Sequence, residues 1–194
     1  MSTEGLRERN KARKRQAILK AAYELFIERG YDTATLTDIA ARAEVSRRTL
    51  TLYFPTKLSL ALAHLDSIDE RLFAALGRRR ADQTSIDVLE EWLAGEADRH
   101  QDGLQSLTET MLAVNPQLQT AQQTRIAETI ERGARHLAEE NGVAPDSLDA
   151  RMTAAAAAAV VGCLGPGPTR EGIAAAMAFL RAGMAALAAR PTDG

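Results

Sequence analysis

Residues 35–57 read TLTDIAARAEVSRRTLTLYFPTK, and the fold follows from this stretch. Thr35 offers a hydroxyl that can cap the free N–H groups of a helix start, and Asp38 stands three residues on, as in a capping box. Apolar Ile39, Ala40, Ala43, Val45, Leu50 and Phe54 give two short helices a common inner face, the second running from after Ser46 to about Tyr53. Arg47, Arg48, Thr49, Thr51 and Tyr53 are left for the outer face. Pro55 then breaks the chain. Two short helices joined by a tight turn, with basic and hydroxyl residues on the second, have the layout of a helix-turn-helix that sets its second helix in a DNA major groove.

Before this unit, a first helix is expected from near Arg7 or Lys11 to Arg29, ended by Gly30, behind about ten polar residues expected to be mobile. Ile18, Ala22, Leu25 and Phe26 recur at three- and four-residue steps and read as core, with Tyr31 packing back after the glycine. After the unit, Lys57 opens a fourth helix through Leu58, Leu62, Leu65, Ile68, Leu72 and Leu76, with Arg78, Arg79 and Arg80 suiting its C-terminal end. Helical periodicity continues near 84–101, 104–114, 117–141, 147–164 and 170–189. The breaks are Gly103, Asn115-Pro116, Gly142 to Pro145, and Gly165 to Pro168. No strand pattern stands out, so an all-α chain of about nine helices is expected, with a three-helix domain over 1–57 and a helical body over 58–194.

The charge is divided along the chain. The whole carries a formal −2, but residues 1–57 hold 12 Lys/Arg against 7 Asp/Glu, a net of +5, while residues 58–194 hold 12 against 19, a net of −7. Counterion release depends on local phosphate contacts, so the distribution is the better guide and points to a polyanion at the N-terminal end. One cysteine, Cys163, excludes an intramolecular disulfide and a thiolate metal cluster. The charged N-terminus shows no secretory signal, and the apolar stretch from Ala154 to Leu164 is about half a membrane span. A cytoplasmic location is expected, without a membrane partner.

The chemistry of base reading needs donors and acceptors near the start of the recognition helix. Arg47 and Arg48 supply forked donors for guanine O6 and N7, or for phosphates alone; Thr49 offers a hydroxyl and a methyl suited to thymine. Thr37, on the first turn of the preceding helix, is within reach of a phosphate or a base edge. Tyr53 and Lys57 read as phosphate anchors, Lys57 at a helix start that favours an anion. The arm Arg7, Arg9, Lys11, Arg13, Lys14 and Arg15 suits the DNA backbone or minor groove, or else is a solvated basic helix end.

The residues Ile18-Leu19, Ala21-Ala22, Leu25-Phe26, Gly30-Tyr31, Thr35, Asp38-Ile39-Ala40, Val45-Ser46, Thr49-Leu50, Tyr53-Phe54-Pro55 and Lys57 resemble, in order and spacing, the TetR family of bacterial transcriptional regulators. Beyond them the chain resembles the family in layout and length. The resemblance implies a homodimeric regulator with a helix-turn-helix DNA-binding domain over 1–57 and a regulatory, ligand-binding and dimerisation domain over 58–194. Carried over residue by residue, the DNA-facing positions are Thr37, Arg47, Arg48, Thr49, Thr51, Leu52, Tyr53 and Lys57. Many relatives place an aromatic where Thr51 stands and a His, Arg or aromatic where Leu52 stands, so base preference does not carry over, and Leu52 is a candidate for packing instead. The family pattern further implies an inverted-repeat operator in double-stranded DNA, a repressor displaced by a small effector, and dimerisation through the last two helices, 147–164 and 170–189. Those two helices are rich in small residues, which allow close approach to a second copy or serve as buried scaffold.

The effector end is less legible. Trp92, in the pattern Leu89, Trp92, Leu93, reads as core stripe or pocket wall. Met111, Met152, Met177 and Met184 read as gap-fillers or as the lining of an adaptable apolar cavity. His64, His100 and His136 fall on three different helices without the i, i+4 spacing of a metal pair, and read as independent histidines. Trp92, His100 and Met111 are the candidate ligand-binding residues for an apolar or amphipathic effector. Cys163 is expected to be a buried small residue. No cofactor loop, metal cluster or nucleophile–base pair appears, so neither a cofactor nor an enzyme is expected. A DNA-binding activator or architectural protein without an inducer is the alternative function.

Overall fold

The computed structural model describes residues 3–99, 103–165 and 168–189. Among these, all regular structure is helical: α1 (Thr3–Arg29), α2 (Leu36–Arg42), α3 (Arg47–Tyr53), α4 (Lys57–Leu76), α5 (Ser85–Arg99), α6 (Leu104–Val114), a 3₁₀ turn (Pro116–Leu118), α7 (Gln119–Asn141), α8 (Leu148–Leu164) and α9 (Arg170–Ala188). This is the expected all-α chain of about nine helices. One start differs: α1 begins at Thr3, so the ten or so residues expected to be mobile are helical from Thr3 on.

The caps explain where the short helices begin and end. Thr35 Oγ1 accepts the Asp38 N–H at 3.1 Å, and Asp38 Oδ2 accepts the Thr35 N–H at 3.1 Å, closing the expected capping box. The Thr35 hydroxyl and N–H together hold the Asp38 carboxyl below its ordinary range. At the other end of α2, the Val45 N–H reaches Ala40 O at 3.0 Å and the Glu44 N–H reaches Ala41 O at 3.2 Å. That paired reverse bonding is a Schellman ending, which needs a left-handed residue at its centre. Glu44 fills it at φ 54°, where glycine is the usual occupant. Gly30 ends α1 at φ 80°, its N–H bonded to Phe26 O at 3.1 Å.

The chain forms two compact units, Met1–Ser67 with Gly103–Gln122, and Ile68–Asp102 with Gln123–Gly194. The first unit is therefore not contiguous, and it differs from the expected break after residue 57. The reason is burial. Its core joins Ile18, Ala22, Leu25 and Phe26 of α1 to Ile39, Leu50, Phe54 and Leu60, and also to Leu104 and Met111 of α6 and to Leu118. Tyr23 is fully buried, and burial pushes its phenol pKa up, so the protonated hydroxyl accepts the His64 N–H at 3.2 Å.

Asn115, 1% exposed, ties α6 to the end of α1. Its amide donates to Phe26 O at 3.1 Å and to Met111 O at 2.8 Å, and its carbonyl accepts the Tyr31 N–H at 2.6 Å. A residue that reads in sequence as a helix break is thus a buried three-way bridge.

In the second unit, Ile86, Leu89 and Leu93 of α5 meet Ile173, Met177 and Leu180 of α9. A smaller cluster joins Ala134, Leu137 and Ala138 of α7 to Ala150 and Ala154 of α8. Gly133 lies on the same face, where an added Cβ would make an ordinary contact with that of Ala154 at 3.5 Å. Arg181 of α9 donates to Asp87 Oδ1 at 2.8 Å and Glu90 Oε2 at 2.6 Å. The Arg181 guanidinium, with the N–H and hydroxyl of Thr84, holds the Asp87 carboxyl down at about 2.

Asn115→Ala removes three hydrogen bonds from a buried site and is expected to lower stability by about 2–3 kcal/mol, at roughly 1 kcal/mol each. A denaturant midpoint within error of the parent would refute the bridge. Because the folded-state pKa of Asp87 is depressed, its stabilising contribution is present above the ordinary carboxylate value and is lost as pH falls toward about 2. For a pair this exposed it is about 0.5–1 kcal/mol. Asp87→Asn should therefore be less stable than the parent at pH 6 and indistinguishable from it near pH 2. A difference that is constant across that range would contradict the pairing.

Candidate nucleic-acid interface

The helix α3 is short and rigidly seated. Ser46 Oγ accepts the Thr49 N–H at 3.0 Å and lies 2.8 Å from the Thr49 hydroxyl, a serine N-cap. Leu50 is fully buried and Phe54 is 3% exposed, so the inner face anchors the helix. Arg47, Arg48 and Leu52 are exposed, while Thr49, Thr51 and Tyr53 are half-buried. From Ser46 to Lys57 there is no acidic residue.

Hydrogen bonds give these residues different roles. Arg47 Nη1 donates to Thr37 Oγ1 at 2.9 Å, so two of the candidates from successive helices are brought together and the guanidinium is aimed by its neighbour. The Thr51 hydroxyl donates back to Arg47 O and Arg48 O, both at 3.1 Å, which leaves it as an acceptor and an apolar surface. Leu52 is 83% exposed; it does not pack into the core, which corrects that alternative. One turn from Arg48, it presents apolar surface on an otherwise polar face, of the kind that meets a thymine methyl.

Lys57 is corrected. Its Nζ donates to Tyr31 O at 2.7 Å, Asp32 O at 3.1 Å and Ala34 O at 3.0 Å, and it lies 4.6 Å from the Tyr31 ring centroid. An ammonium has three donors, and three carbonyls meet them. Lys57 therefore holds the 31–34 loop to the start of α4 and is not a phosphate anchor in this conformation. Arg15 is similarly drawn inward, donating to Ala63 O at 3.5 Å and lying 5.3 Å from the Phe54 ring centroid. The other five basic residues of the arm are exposed.

The candidate effector residues Trp92 and Met111 belong to different units. Trp92 is half-buried in the second unit against the α5–α9 cluster. Met111 is fully buried in the core of the first unit, which corrects it from pocket lining to core packing beneath the DNA-reading helices. His100 lies outside the described residues. His64, 9% exposed, has Nε2 at 2.9 Å from Gln105 Oε1, and His136 stacks on Phe73 with centroids 5.5 Å apart. Among the described residues no group of three or more His, Cys, Asp or Glu is placed to hold a metal. Cys163 is exposed, contrary to the expectation of burial, because the inner face of α8 is formed instead by Ala156, Ala157, Val160 and Val161.

Residues 18–64 match the family model described as bacterial regulatory proteins, tetR family. This N-terminal part of the chain is similar to the DNA-binding domain of that family. Among its relatives, the HTH-type transcriptional regulator TcmR of Streptomyces glaucescens is 34% identical over 99 residues, covering 51% of this chain and 44% of TcmR. The HTH-type transcriptional activator FasR of Mycolicibacterium smegmatis is 40% identical over 74 residues, covering 38% of this chain and 33% of FasR. The matches thus span less than half the length of these curated relatives, and both are named as regulators of transcription rather than as enzymes. The TetR-type fold extends further than the sequence match: a structure of SmeT with triclosan covers 93% of each chain at a TM-score of 0.58 and 21% identity.

Lys57→Met separates a structural lysine from a phosphate contact. It is expected to lower stability by about 1–3 kcal/mol by leaving loop carbonyls unmet, while the slope of log affinity for DNA against log salt stays unchanged. A slope reduced by about 1 with stability intact would restore Lys57 as a phosphate anchor.

Proposed function

We propose that this chain is a TetR-family DNA-binding transcriptional regulator that acts as a homodimer on an inverted repeat, as a repressor released by a small, largely apolar ligand. The observation that carries the DNA-binding half is α3: a capped helix, seated on Leu50, that exposes Arg47 and Arg48 with no acidic residue between Ser46 and Lys57. Such a helix is short enough to enter a major groove end-on, and its first residues are those that reach base edges.

The dimer is supported by what α8 and α9 leave uncovered. Their inner faces pack on each other and on α5, while Leu148, Met152 and Phe179 are 63%, 46% and 67% exposed. Small residues at Ala155, Ala159 and Gly162 of α8 and at Ala175, Ala178 and Ala182 of α9 are also exposed. Apolar surface this open on two adjacent helices suits a second copy of the chain. Two copies would present two recognition helices about one helical turn of DNA apart, roughly 34–36 Å.

For the effector, the apolar α5–α8–α9 cluster around Trp92 is the supporting feature, together with the triclosan held by SmeT. Release requires linkage: the ligand binds the DNA-incompetent state more tightly, and DNA weakens ligand binding by the same factor. Repression then needs only occupancy of a site that polymerase must use. Activation is the second reading, favoured by the name of FasR, whose match covers 38% of the chain. We place the protein in the cytoplasm with its DNA; among the described residues no helix is long and apolar enough to cross a membrane.

Selection of random duplexes by the purified chain tests the proposal. An inverted repeat should emerge, and Arg47→Ala and Arg48→Ala should each weaken or relax it by about 1–3 kcal/mol where the arginine contacts a base. Binding governed by salt alone, with no motif recovered, would defeat the sequence-reading role.

A further inference from the structure

Trp92 is the only tryptophan in the chain, and its indole Nε1 is buried with no hydrogen-bond partner among the described residues. Buried donors are nearly always met, and one left alone costs about 1–3 kcal/mol. The apolar side chains around it fit the lack of a partner among the described residues. The cluster it joins is built from Ile, Leu, Val, Ala and Met side chains of α5, α8 and α9, with Leu72 of α4. None of these offers an acceptor stronger than a thioether. The donor is thus preserved at the protein's expense, in a setting where an arriving acceptor would be rewarded.

We infer that the Trp92 N–H is the polar contact for the effector, and that the effector is a neutral, mainly apolar molecule carrying a carbonyl-type oxygen. The inference rests on the reading of the chain as an effector-responsive regulator and narrows its ligand chemistry. The side chains of the cluster are apolar, so a mainly apolar molecule suits it, and a charge placed among them without a partner would be strongly penalised. A pure hydrocarbon would leave the donor unmet. Selectivity should therefore lie in one oxygen, because a site built around a donor rejects analogues that lack the matching acceptor.

The single tryptophan makes the test direct, because the ¹⁵N-labelled full chain gives one indole N–H cross-peak. Matched aliphatic pairs avoid ring-current shifts: cyclohexanone with methylenecyclohexane, and 2-decalone with its methylene analogue. The expected results are a free-protein peak at the upfield position of an unbonded N–H and a downfield shift with the ketones only. Ketone binding should be about five- to tenfold tighter than that of the isosteric hydrocarbon, as for one net hydrogen bond. Trp92→Phe should erase that preference. The inference is overturned if the free peak already lies at a hydrogen-bonded position, if ketone and hydrocarbon bind alike, or if no probe moves the peak. Release of a selected duplex is followed in parallel. Hydrocarbons that release DNA as well as ketones would keep the effector-responsive reading and remove only the Trp92 assignment. Ketones that shift the peak without releasing DNA would keep the site and remove the regulatory reading.

Discussion

The inner face of α1 is buried from several directions at once, and the first unit depends on that. Ile18, Ala22, Leu25 and Phe26 meet α2, α3, α4 and α6 within one core. A seven-residue helix such as α2 or α3 has too few hydrogen bonds to persist alone. Both are held by the few apolar side chains they place in the core shared with α1: Ile39 and Ala40 from one, Leu50 from the other. The recognition helix is therefore stable only as a passenger on a longer one. Arg42 reinforces the arrangement from outside, with a two-bond pair to Glu28 at 2.6 and 2.7 Å.

Holding and reading are carried by different side chains, although the residue types are the same. Lys57 and Arg15 look in sequence like DNA contacts but are turned to backbone carbonyls, whereas Arg47 is aimed outward by a threonine hydroxyl. The distinction matters for electrostatics. A basic residue engaged inside the unit still adds to the local positive field, but its donors are already met by carbonyls.

Much of this organisation is legible in the residues themselves. Thr35, Asp38, Ser46, Gly30, Gly103, Asn115-Pro116 and Gly142 mark helix ends, because caps and breakers act locally and announce themselves by type. Leu50 and Phe54 are recognisable as core from periodicity. What escaped reading is non-local. The three carbonyls around Lys57 belong to backbone, which sequence does not distinguish, and the partners of Asn115 lie 84 and 89 residues away. Met111 carries no sign of which core it fills, since a methionine suits any irregular gap. Glu44 is the remaining surprise: nothing in its type suggests a left-handed turn residue, and only the bonds of its neighbours require it.

The noncontiguous first unit has a consequence for how such a protein can be rearranged. Its DNA-reading end looks like a cassette of fewer than seventy residues, suited to grafting onto any other body. The structure argues otherwise. Leu104, Met111, Asn115 and Leu118 belong to the same interior as the helix-turn-helix, so a graft cut after α4 would carry an open seam along α1. Recombination that respects this chain must move residues 103–122 together with the N-terminal helices, or supply a substitute α6 shaped to the same seam. Portability, here, is a property of the core and not of the motif.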